Sequence, residues 1–197
     1  VLSVVSLMSS CATPLETTPG RTATEQLLIS NAADEAASRL SLPMVEGRKV
    51  FLDAGSFSGE GAAYARASLR GALIRQGAIL EDDRAAAEIV VEARLGALGI
   101  DQVNRVLGVP QMTLPMSSNL TLATIPELTL YSRRDRVGIA EMTVLVYEPR
   151  TGRLLAALTP LVGDVRIRSH KLLMILSWGQ RQLQPGQTEE TPSWRQF

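Results

Sequence analysis

Residues 88–99 read Glu-Ile-Val-Val-Glu-Ala-Arg-Leu-Gly-Ala-Leu-Gly, and their alternation limits the fold more than any other stretch. Ile89, Val91, Ala93, Leu95 and Ala97 fall on one side of an extended chain; Glu88, Val90, Glu92, Arg94 and Gly96 fall on the other. A period of two is the mark of a β-strand. Charges on one face mean that this face meets water. All-parallel sheets are covered on both faces, so the strand belongs to an antiparallel or mixed sheet.

Such a sheet needs a cover for its apolar side, and the first half of the chain supplies two helices. Thr22-Ala-Thr-Glu25 has capping-box form, in which the hydroxyl accepts from the Glu25 amide and the carboxylate reaches back. The helix expected over 23–40 carries Leu28, Ala32, Ala36 and Leu40 as a stripe, widened by Ile29, Ala33 and Ala37. That spacing is the helical one. Pro43 and Gly47 end it, and Lys49–Asp53 reads as a short strand. After Gly55, Gly59 and Gly61 a second helix is expected over 60–76, burying Ala62, Ala65, Leu69, Ala72 and Leu73. Gly77 suits the left-handed residue that terminates it. Residues 78–80 add a strand, and 84–87 a possible helical turn.

Beyond Gly99 the pattern loosens. Pro110, Pro115 and Pro126 punctuate 101–126, which reads as a long irregular loop. Strands are expected at 127–133, 137–148 and 153–168. Arg133-Arg-Asp-Arg136 reads as the first hairpin turn and Pro149-Arg-Thr-Gly152 as the second. Lys171–Trp178 is apolar enough to predict a short helix or strand packed on the body, and the tail from 184 is expected to be poorly ordered. The expected fold class is α/β (α+β): a two-layer sandwich, with a mixed, mostly antiparallel sheet and two helices on one face.

The order of domains starts at Cys11, the only cysteine. Val1–Met8 is apolar, Ser9 and Ser10 are small, and the chain turns polar after the cysteine. That is how a bacterial lipoprotein signal peptide ends. Residues 1–10 are read as a signal-peptide remnant truncated upstream, 11–21 as lipidated cysteine and flexible tether, 22–183 as a single domain and 184–197 as a flexible tail. Ala12 after the cysteine resembles the Gram-negative signal for export to the outer membrane, facing the periplasm. With one cysteine there is no internal disulfide.

Chemistry is sparse. The 20 basic residues balance 20 acidic ones, which argues against a nucleic-acid partner held by a basic field. His170 is the only histidine and no Gly-x-Ser-x-Gly elbow accompanies a serine. One histidine and one cysteine make no zinc site. Gly55–Gly61 opens a helix after a strand but lacks the Gly-Lys-Ser/Thr of a phosphate loop. No cofactor and no enzymatic activity are expected. Glu88 and Glu92 share a strand face with Arg94, which predicts cross-strand ion pairs on a solvated surface. The candidate interaction patch is basic: Arg133, Arg134, Arg136, Arg166, Arg168 and Lys171, with His170 among them. It suits lipid headgroups, anionic glycan or an acidic protein. An alternative is a small-molecule or lipid-binding module in which Met112, Met116 and Leu120 line an apolar cleft.

Several segments carry a resemblance. They are Arg21-Thr-Ala-Thr-Glu-Gln-Leu-Leu-Ile-Ser30, Arg48–Asp53, Ala86–Ala97, Gly108-Val-Pro110, Thr124–Tyr131 and Tyr147–Arg153. Together, over about residues 11–180, they resemble a family of uncharacterised bacterial lipoproteins with the first segment just after the lipid-bearing cysteine. The resemblance implies an anchor in the cell envelope. The expected layout of the fold is, separately, similar to that of small envelope lipoproteins that assist curli secretion, lipopolysaccharide assembly or phospholipid transport. The family resemblance implies no activity. The expected role is non-enzymatic binding of another envelope component through an exposed sheet face or the 101–126 loop.

Overall fold

A computed structural model describes residues 20–109, 112–115, 122–125, 128–173, 176–184 and 187–190. Helix α1 (Ala23–Ser38) starts on the expected capping box: Thr22 Oγ1 accepts from the Glu25 amide at 3.3 Å, and Glu25 Oε2 accepts from the Thr22 amide at 2.9 Å. After β1 (Lys49–Asp53), α2 (Ala62–Arg75) is entered through Gly61 and left through Gly77, both left-handed. Only glycine holds those angles without strain. Strand β2 (Ile79–Glu81) follows, then the long β3 (Ile89–Val109) and β6 (Leu128–Tyr147), with β4 (Met112–Pro115) and β5 (Leu122–Ile125) between them. The chain continues through β7 (Leu154–Ala157), β8 (Leu161–Leu172), β9 (Leu176–Gln184) and β10 (Gln187–Glu190).

The main sheet is open and mixed, in the order β2-β1-β3-β6-β8-β9-β10. The β2-β1-β3 end is parallel and the remainder antiparallel; β7 joins β6 beyond the end of β8. Strands β4 and β5 form a separate two-stranded sheet. Both helices share one core with one face of the main sheet, so the molecule is a two-layer α+β sandwich. Leu28, Leu69 and Leu73 of the helices meet Ile89, Val91, Met142, Val144 and Val165 of the strands there.

Helix α1 lies directly on the backbone of β6 and β8. A Cβ at Gly138 would stand 2.4 Å from the Leu28 carbonyl oxygen, and one at Gly163 would stand 2.0 Å from that of Ala32. The helix contributes Ala32 and Ala36 to the same contact, and these two are fully buried, as are Ala33 and Ala37. Small side chains on both layers therefore set how closely they approach.

Five expectations are corrected. Arg133–Arg136 is no turn: β6 runs unbroken through it, because alternate charges find cross-strand partners on the two faces. Most of the 101–126 loop is strand, since β3 pairs with β6 out to Val109 and β4 pairs with β5; the prolines fall at or between strand ends. The 153–168 strand splits at Pro160, which has no N–H for the ladder. Lys171–Trp178 is not packed on the body. It closes β8 and opens β9, with Leu173, Leu176 and Trp178 exposed. Gln187–Glu190 pairs with β9, so the segment read as a flexible tail begins with a strand.

Strand β1 pairs with β3 only from Ile89 to Glu92. From Ala93 onward, among the described residues, β3 has a partner on its β6 side alone.

Candidate binding surface on the sheet arm

The helices cover only part of the sheet. Past Gly99 of β3 and Gly138 of β6, the strands continue as an arm whose residues 101–108 are all exposed. The pleat sorts its side chains onto two faces. On the face away from the helices, four cross-strand rows follow from the register. Nearest the body is Asp101–Val137–Arg166, and next comes Val103–Asp135–Arg168–Gln180. The third row is Arg105–Arg133–His170–Trp178, and the last is Leu107–Tyr131–Leu172–Leu176.

Asp135 organises the middle of this face. Its carboxylate lies 3.2 Å from Arg105, 2.9 Å from Arg133 and 3.0 Å from Arg168, and is itself 14% exposed. Desolvation opposes its charge, but the Arg168 and Arg133 guanidinium groups outweigh it and hold the carboxyl below its usual range. Three arginines share one aspartate, so the cluster keeps a surplus of positive charge that an anion could meet.

Beside the cluster, the Tyr131 phenol lies 2.7 Å from His170 Nδ1, and in the Nε2–H tautomer the phenol donates. The His170 ring stacks on Trp178 with centroids 5.4 Å apart and planes 9° apart. Burial, then Arg133 and Arg168, push the His170 pKa down and favour the neutral ring, Asp135 opposing. Asp135 is held by the arginines and not by His170, whose side-chain contacts are aromatic.

The six-residue basic patch read from the sequence is divided by the pleat. Arg133, Arg166 and Arg168 share the outer face with His170. Arg134, Arg136 and Lys171 lie on the helix face, where Arg181 joins them and is nearly buried. There Arg134 Nε donates to Asn104 Oδ1 at 3.2 Å. Burial, then the neighbouring Arg134, lower the Arg136 pKa, Glu25 of α1 opposing. Neighbouring residues of one strand cannot share a face, so Arg133 and Arg134 never act together.

Arg105, Asp135, Tyr131 and Trp178 were not singled out by the sequence reading. The signal that could have found them is the alternation Tyr131–Arg133–Asp135–Val137, visible once 128–147 is taken as one strand. The side chains of Met112, Met116 and Leu120, the sequence-derived apolar cleft, lie outside the described residues. A different cleft of about 530 Å³ lies beside the helices, lined by Ala23, Leu27, Ile29, Gly61 and Tyr64. The Arg21–Glu60 ion pair, at 3.2 Å, stands at it. Both acidic residues are ion-paired, but not both across strands as expected: Glu88 binds Arg48, whereas Glu92 binds Arg94 of its own strand at 2.7 Å. Arg66 of α2 donates to the carbonyl of Ala54, just before the Gly55–Gly61 loop, at 3.0 Å. Among the described residues, no helix is long and apolar enough to cross a membrane.

The architecture defines a small α+β domain with an uncovered sheet arm. Residues 9–163 match the model of a Family of unknown function (DUF6655), and the chain belongs to that family. No curated protein matches the sequence.

Proposed function

We propose that this is a lipid-anchored bacterial envelope lipoprotein, non-enzymatic, which holds its sheet arm against another component of the envelope. Cys11 carries the lipid, residues 12–21 form the tether, and Ala12 directs the protein to the outer membrane, facing the periplasm. The observation that carries the reading is the outer face of the arm, where exposed arginines, aromatic rings and apolar side chains stand together. A sheet arm in water gains little from such a surface, whereas a partner would bury it.

Two measurements test it. Mass spectrometry of the membrane fraction should find diacylglycerol on Cys11, and the Cys11→Ala protein should leave that fraction. Photo-crosslinkers placed at positions 105 and 176 should capture envelope components in cells, while one at exposed position 75 on α2 should not. Equal capture at all three positions would remove the arm from the proposal.

The alternative, a small-molecule or lipid-binding module, is favoured by the apolar cleft between α1 and α2. A lipid that co-purifies with the protein and is lost on Leu27→Glu substitution would move the function there.

A further inference from the structure

Asp135 lies at the bottom of a ring of guanidinium groups on the outer face of the arm. Arg105 and Arg133 reach back to it from the next row, and Arg168 reaches across from the neighbouring strand. Arg133 and Arg168 approach the carboxylate through Nε, and Arg105 approaches it through Nη1. Among the described residues, the remaining N–H groups of these three arginines meet no other acceptor. The aspartate is 14% exposed, whereas the arginine side chains are 32% to 63% exposed. The carboxylate therefore draws three forks together and leaves their other donors at the surface.

Trp178 stands in the same row as Arg105 and Arg133, with His170 between it and Arg133. Its ring stacks on His170, and 45% of the residue is still exposed. Two strand spacings separate the backbones of Arg133 and Trp178 by about 10 Å. One row back, β9 continues the face with exposed Gln180, polar and uncharged.

We propose that this face binds an anionic glycan, with a carboxylate or phosphate group seated on Arg105, Arg133 and Arg168 and a neighbouring sugar ring against Trp178. This assignment rests on the envelope reading above and names the chemistry of the component met by the arm.

Each part of the face selects for that class. Guanidinium forks pair with carboxylate and phosphate oxygens through parallel N–H bonds, and the ring keeps the positive surplus that such a group neutralises. Side chains already gathered by Asp135 lose less freedom when the ligand arrives. An indole offers a flat apolar face to the C–H groups of a sugar ring, and its N–H donates to a hydroxyl. An acidic peptide matches the charge but brings no rigid ring to the indole. A phospholipid headgroup fills the arginine ring but does not reach across to Trp178. A short oligosaccharide covers both.

The test uses the full chain carrying Cys11→Ala, so that no acyl chain contributes. Calorimetric titration with a short oligogalacturonate, which bears a carboxylate on each ring, should show saturable binding that added salt weakens. A maltooligosaccharide of the same length, which is uncharged, should not bind. Polyglutamate of equal charge should bind about tenfold more weakly. Vesicles of phosphatidylcholine and phosphatidylglycerol should leave the protein in the supernatant.

Arg105→Gln and Arg168→Gln should each weaken oligogalacturonate binding about tenfold. Trp178→Ala should weaken it about fivefold and leave polyglutamate binding as it was. Arg75→Gln, on α2, should change nothing. Arg105 is the most exposed of the three arginines, so its variant disturbs the fold least, and a melting curve matching the parent's checks this.

Polyglutamate or vesicles bound as tightly as the glycan, no glycan binding at all, or arm variants that bind as the parent does would each overturn the assignment. If crosslinkers at 105 and 176 still captured a protein in cells, the envelope reading would stand without the glycan. If both failed, the arm itself would be discarded as the contact surface.

Discussion

The covered and uncovered halves of β3, β6 and β8 are built from the same pleat, yet the pleat does different work in each. Under the helices it separates core from water: Ala140, Met142, Val144 and Val146 are fully buried, while the residues between them are not. In the arm it separates one exposed surface from another. The covered half is held by burial, which contributes about 25 cal/mol per Å² of apolar surface removed from water. The arm is held by its ladder and by cross-strand pairs, each contributing only ~0.2–1 kcal/mol. Stability should therefore be concentrated in one half and recognition chemistry in the other.

The sharpest way to break that contrast is at a glycine. Gly163→Val places a side chain where Ala32 already sits, and α1 has to lift from the sheet. Urea denaturation should show a loss of about 3 kcal/mol or more. Gly99→Ala, at the root of the arm with nothing within 4 Å of its Cβ, should be neutral or gain about 0.5 kcal/mol. A comparable loss at both positions would mean that the arm is as tightly packed as the body.

Leucines repeat the contrast at smaller amplitude. Leu28→Ala removes a fully buried side chain and should cost about 3 kcal/mol. Leu107→Ala, in the arm and largely exposed, should stay within about 0.5 kcal/mol. Thr22→Ala removes the hydroxyl that caps α1 and should cost about 1 kcal/mol in the same assay.

The smallest effect is electrostatic and belongs to the arm. Asp135 has a depressed pKa in the folded chain, so its ionised form favours folding. That contribution is complete above about pH 5 and is lost as pH falls through the folded value. Asp135→Asn should melt below the parent at pH 7, and the difference should close on acidification. A difference that persists at pH 2 would assign the effect to shape and not to charge.

The first hundred residues were largely legible because their signals are local. The Thr22–Glu25 box, the four-residue spacing of Leu28, Ala32 and Ala36, and Gly77 each declare themselves within one or two turns of chain. The arm was not legible for the opposite reason. Asp135 is stabilised by Arg105, 30 residues before it, and by Arg168, 33 residues after it. Without those partners, Arg133–Arg136 has the composition of a turn, and reading it so broke β6 in two. The same misreading merged the basic residues into one patch, which an unbroken strand forbids. Trp178 was expected to be covered because apolar runs usually are, but its strand ends beyond the reach of the helices.

The single-sided pairing of β3 past Glu92 carries a consequence for the protein in concentrated solution. An unpaired strand edge is a template on which a further strand can grow. Here, among the described residues, Arg94, Asp101 and Arg105 interrupt it at intervals. Protection by charge is screened as salt rises, so this edge is guarded well in dilute buffer and progressively less well in brine.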